Sequence, residues 1–173
     1  MTTVNPVQDR GGSGGAGLLV SILLRFPEVG SVTFDPSGHA LCLTLLIHKR
    51  ISPARYEALR LLILESLAAF AYLQGFQPRM AEVNRTAFRG VTAIEITRDA
   101  ETLSREEIAL LIGLARERFG EELVVDPDTD LPEEDMIVQE QLIDEALDHL
   151  REVRQQYNLI AYREGGRVLV FNK

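Results

Sequence analysis

Apolar positions first fall into a helical rhythm at Gly17: Leu18, Leu19, Ile22, Leu23 and Phe26 share one face of a helix over 17–26, and Pro27 stops it. The rhythm then changes to strands. Residues 30–49 read as two strands around the turn Asp35-Pro36-Ser37-Gly38, with proline at the second and glycine at the fourth position. Ser52 before Pro53 signals a helix start, because the hydroxyl can cap a free N–H where proline needs no donor. The helix over 53–74 is apolar on most sides, ends at Gly75, and is expected to be the central core helix. Residues 80–98 form a second hairpin turning near Arg89-Gly90.

Ser104 and Glu107 have the spacing of a capping box and open a helix over 104–119, with Ile108, Leu111, Ile112, Ala115 and Phe119 inward and Gly120 as its stop. A short strand is expected at 122–125, then a long helix over 131–156, then a hairpin over 158–173 turning at Glu164-Gly165-Gly166. The order αββ, αββ, αβ, αββ hints at internal duplication. It predicts an α+β fold, with a mostly antiparallel sheet of helix-plus-hairpin units and helices packed on one face. Residues 1–16, rich in glycine and polar side chains, read as a flexible tail before a single domain over 17–173.

A 46% apolar and 25% charged composition over 173 residues suits one folded domain. The net charge of −8 is unevenly spread. Residues 1–100 carry 10 Lys+Arg against 8 Asp+Glu, a net of +2, whereas 101–173 carry 8 against 18, a net of −10. That shift leaves room for subdomains 17–100 and 101–173. An acidic chain is repelled by nucleic-acid backbones and anionic membranes. One cysteine, Cys42, excludes an intrachain disulfide and fits a reducing compartment. The longest apolar region, 61–73, contains Glu65 and is too short to span a bilayer, so the chain reads as cytoplasmic.

The segment 125–136, VDPDTDLPEEDM, is the most suggestive chemically. Asp126, Asp128 and Asp130 match the first, third and fifth ligands of a calcium loop. The match then fails: Leu131 stands where glycine is needed and Ile137 where the bidentate glutamate belongs. The stronger reading is a helix start with Asp130 as cap, Pro132 in the first turn, and Glu133, Glu134 and Asp135 at the positive end of the dipole. Weak divalent-cation binding by Asp126, Asp128, Asp130 and Glu133, with His149 as a further ligand, is the alternative. His149 shares a helix face with Glu145 and Glu152, a pattern that usually marks a solvated acidic face.

Gly12, Gly14 and Gly17 have a GxGxxG spacing, but no strand precedes them and no phosphate loop is expected. Cys42 and His48 lie on one strand face but six residues apart, too far for a dyad. Arg79, Arg85, Arg89 and Arg98 fall in the second hairpin, and Arg163 and Arg167 flank the last turn. Arginine forks bind anions bidentately, so an anionic small-molecule site at Arg79, Arg85, Arg89 and Arg98 is a further alternative to pairing with the acidic part. The sequence assigns no catalytic residue and no cofactor. It favours an interaction or regulatory module with an acidic C-terminal surface and a protein partner, self-associating as a homodimer through helix 131–156.

Overall fold

The computed structural model describes residues 13–127 and 131–172. Its elements are α1 (Ser13–Arg25), β1 (Val29–Asp35), β2 (Ala40–Ile47), α2 (Pro53–Gln74), β3 (Ala81–Phe88), β4 (Val91–Asp99), α3 (Arg105–Phe119), a single 3-10 turn (Gly120–Glu122), α4 (Glu133–Glu152), β5 (Leu159–Glu164) and β6 (Arg167–Asn172). All six strands join one antiparallel sheet in the order β3-β4-β2-β1-β5-β6. This is the α+β architecture expected, and the one sheet includes strands from both sides of residue 100.

Three hairpins close the sheet, two of them with two-residue turns. Arg89 and Gly90 both take positive φ (45° and 77°), as do Gly165 and Gly166 (56° and 75°). That handedness matches the right-handed twist of the flanking strands. In the β1–β2 turn His39, the residue after Gly38, takes the left-handed conformation at φ 49°. Asp35 holds the turn by accepting hydrogen bonds from the N–H and hydroxyl of Ser37.

Strand alternation sorts the side chains into two faces. Val32 and Phe34, Leu41, Leu43, Leu45 and Ile47, Ile94 and Ile96, Leu159 and Ala161, and Val168 and Val170 are buried on one face. Their alternates are half-buried or exposed. The helices pack on the first face, whose side chains and theirs form a single core.

The central helix is α1, not α2. Leu18, Leu19, Ile22 and Leu23 are fully buried, with β1, β5 and β6 on one side and α4 on the other. On α2 only Leu59, Ile63, Leu67 and Ala71 are buried, a narrow stripe at four-residue spacing that seats it on β3 near the sheet edge. Tyr72 and Leu73 stand in solvent. Its ends are as expected: Ser52 accepts from the Arg55 N–H, and Gly75 closes it at φ 80°.

Other boundaries shift. Helix α1 starts at Ser13, so it takes in Gly14 and Gly17, while Gly12 lies outside the described residues. The expected strand at 122–125 reduces to one bridge, Leu123 to Ile47, held by the His48 N–H donating to the Glu122 carbonyl and the Val124 N–H donating to the Leu46 carbonyl. Helix α4 runs over Glu133–Glu152 rather than 131–156, with Pro132 as its N-cap residue and no side-chain cap. Proline fixes φ near the value a cap residue needs, so the helix begins after it. Asp130, the expected cap, lies outside the described residues.

Candidate interaction surface

Asp126 of the acidic segment and several of the arginines hold elements together. Asp126 is largely buried and 3.4 Å from Arg163 Nη1. Arg163 in turn donates to the carbonyls of Val29 (3.1 Å), Phe26 (2.9 Å) and Leu23. Leu23 belongs to the last turn of α1, where carbonyls lack helical partners, and Phe26 directly follows the helix. A β5 side chain therefore caps α1. Burial pulls Arg163 below its ordinary pKa, against the opposing pull of Asp126 and Glu28. Asp128 and Asp130 lie outside the described residues, and Glu133 is exposed at the start of α4. Among the described residues no group of three His, Cys, Asp or Glu is placed to hold a metal.

The four hairpin arginines do not meet. Pairing of Ala81 with Arg98 and of Phe88 with Val91 puts Arg98 at one end of the hairpin and Arg89 at the other, where its guanidinium lies 5.3 Å over the Phe88 ring. Arg85 stacks over Tyr56 at 4.6 Å, and Arg79 is exposed.

Arg98 has the most defined role. It is 1% exposed and forks onto Glu107, Nε to Oε2 at 2.7 Å and Nη2 to Oε1 at 2.8 Å. Its remaining donors reach Thr102, the Met80 carbonyl and Asp99. Asp99 also accepts from the N–H groups of Arg79, Met80 and Thr102 and from the Thr102 hydroxyl. Burial alone would push the Asp99 carboxyl up, but hydrogen bonds from Thr102, Met80 and Arg98 together hold it below its ordinary range. At Glu107 burial wins over the Arg98 fork and pushes the carboxyl up, with Asp99 adding to the rise. The cluster ties β4 to the start of α3. Sequence reading missed Glu107 because its spacing from Ser104 already gave it a capping task. Only half of that box forms: Ser104 accepts from the Glu107 N–H while the carboxylate turns to Arg98.

Helix α4 also makes ion pairs with its neighbours. Glu140 meets Arg25 of α1 at 2.8 Å and Arg105 of α3 at 3.6 Å, and Asp144 meets Arg105 at 3.0 Å. Pairing of arginines with the acidic part thus occurs within the chain. Glu133, Glu134, Glu145, His149 and Glu152 remain exposed, beside exposed Ile137, Val138 and Leu142.

The second sheet face is different in kind. Ser31 and Thr33 of β1, Cys42, Thr44 and Leu46 of β2, and Ile160, Tyr162, Leu169 and Phe171 of the last hairpin point away from the helices. The Tyr162 and Phe171 rings stack at 5.7 Å, and Phe171 remains 47% exposed. Towards β3 and β4 the face becomes polar, with Glu82, Asn84, Thr86, Glu95 and Thr97. Cys42 lies in the middle, where burial raises its thiol pKa, so it is a poor nucleophile at neutral pH. No described helix covers this face. Chemically it offers a flat surface, apolar on one half, suited to contact rather than bond-making. Among the described residues no helix is long and apolar enough to cross a membrane.

No family model, curated protein or solved structure matches the chain.

Proposed function

We propose that this protein is an interaction module whose open sheet face is its docking surface, with a second copy of the chain as occupant. The observation that carries the reading is the apolar half of that face: Ile160, Tyr162, Leu169 and Phe171 pair across the last hairpin, Leu46 follows two strands away on β2, and no described element lies over them. Half-buried side chains on a flat sheet gain most from a second flat surface packed about 10 Å away. The threonines and serine at the centre permit that approach, because they project little.

Charge favours this face over α4 for self-association. A two-fold contact sets the same patch against itself. On α4 that would bring Glu134 and Glu145 against their own copies around Ile137, Val138 and Leu142, whereas the outward carboxylate of the last hairpin is Glu164, at its tip and opposite Arg167. The exposed α4 residues still make an α4-to-α4 dimer the second reading.

Light scattering of the full chain tests both. The expected result is a dimer that Phe171→Glu converts to monomer and Leu142→Glu leaves intact. The reverse pattern moves the contact to α4, and a wild-type monomer at high micromolar concentration overturns self-association.

A further inference from the structure

A cavity of about 500 Å³ opens between the C-terminal end of α2, the β4–α3 connection and the last turn of α4. It is far from the open sheet face in chemistry as well as lining. Phe70 and Phe76 form one wall, edge to face with centroids 6.3 Å apart. Glu101, Glu106, Gln74 and Arg151 also line it. The volume lies within the few hundred to one thousand Å³ that small-molecule sites occupy. We propose that this cavity binds an alkylammonium or guanidinium group carried on an apolar stem.

The sign of the ligand follows from which charges are already used. Arg151 donates from Nε to the Glu101 carbonyl (3.0 Å), from Nη2 to the Leu103 carbonyl (2.9 Å) and from Nη1 to Asp148 (2.5 Å). Three of its five N–H donors are thereby used, and Asp148 meets its charge. The N-terminus of α3 also lines the cavity through Ser104 and would favour negative charge, but Glu106 and Glu107 already sit in its first turn. Against that single terminus stand the C-terminal turns of α2, through Phe70 and Gln74, and of α4, through Arg151; such ends favour cations.

The two carboxylates are underused. Glu101 Oε1 lies 3.7 Å from His39 Nε2, too far for a hydrogen bond, and that nitrogen is itself buried without a hydrogen-bond partner. Glu106 has only a 3.4 Å contact with Arg105 and is well exposed. A cation seated between them would fill lone pairs that the protein leaves open. Its methylene stem would lie against Phe70 and Phe76, whose rings suit an apolar stem and whose faces attract a cation. An amine or guanidine recognised this way could come free in solution or on a lysine or arginine of a partner peptide.

Isothermal calorimetry on the full chain tests the proposal with agmatine, with acetyl-Ala-Arg-Ala-amide and with inorganic phosphate. Saturable heat from agmatine is expected, weakened about tenfold or more by Glu101→Gln with Glu106→Gln, since hydrogen bonds to charged groups are lost. Phe76→Leu should weaken it about threefold. Glu117→Gln, exposed on α3 away from the cavity, should leave it unchanged, and circular dichroism confirms that each variant is folded. Binding of agmatine alone assigns a free amine, and binding of the peptide as well assigns a partner's basic side chain. Saturation by phosphate in place of the cations, no saturable heat from either cation, or binding unchanged in the double variant overturns the proposal.

Discussion

Arg98 costs the fold most if its partners go. A buried guanidinium is tolerated only where ion pairs and hydrogen bonds replace its water, and Glu107, Asp99, Thr102 and the Met80 carbonyl do so here. Glu107→Ala should therefore destabilise the protein by about 3–5 kcal/mol, read by urea denaturation, because it strands the charge. The two acids also respond to pH with opposite signs. Asp99 titrates below its ordinary 3.8, so its contribution is present above that value and is lost as pH falls through the lower folded one. Glu107 titrates above 4.5, so its contribution is present below 4.5 and fades as pH rises through the folded value. Denaturation midpoints across pH should show Asp99→Asn without the loss below 3.8 and Glu107→Gln without the decline above 4.5. At this scale the sequence was half legible. Alternation puts Arg98 in register with Ile94 and Ile96, hence inward, yet an inward arginine reads as an anion site until the carboxylate brought by α3 is seen.

Elements with strong local chemistry were legible. Ser52-Pro53, Ser104, Gly75 and the Arg89-Gly90 and Gly165-Gly166 turns all act where their residue types require. What stayed hidden was settled by neighbours: the one-residue bridge at Leu123, the shorter α4, and the exchange of central place between α2 and α1. Apolar content made α2 look central, but α1 has the broader stripe and takes the position between sheet and α4. The docking of α4 rests on Ile143, Leu147 and Leu150 rather than on its ion pairs. Ile143→Ala should cost about 2–5 kcal/mol in urea denaturation, as truncation of a buried aliphatic residue does. Arg105→Ala, which removes half-exposed pairs to Glu140 and Asp144, should cost less than about 1 kcal/mol. Equal effects would make charge the dominant tether.

Across the whole molecule, the pattern of apolar positions foretold an antiparallel sheet with helices on one side, and therefore a second side left open. It did not foretell strand order, since nothing local makes β5 choose β1. That choice places the aromatic half of the open face beside the central strands, where the proposed dimer forms. Salt sharpens the distinction between the two dimer readings. A contact through the apolar half should change little or strengthen gradually as ionic strength rises, whereas an α4 contact, opposed by carboxylates facing their own copies, should strengthen steeply as salt screens that repulsion, and sedimentation equilibrium in low and high salt measures which.

The sheet order has a consequence for how the chain comes to be made. Val32 pairs with Ala161, and Phe34 with Leu159, so one side of β1 waits for residues near the far end of the sequence. While a ribosome is still delivering α4, the earlier hairpins can close, but β1 presents unpaired amides and α1 lacks half its bed. A nascent chain of this kind is exposed to mispairing until β5 arrives. Stalled just short of residue 159, it should be held by chaperones and cut readily by proteases; released past residue 172, it should become resistant in one cooperative step.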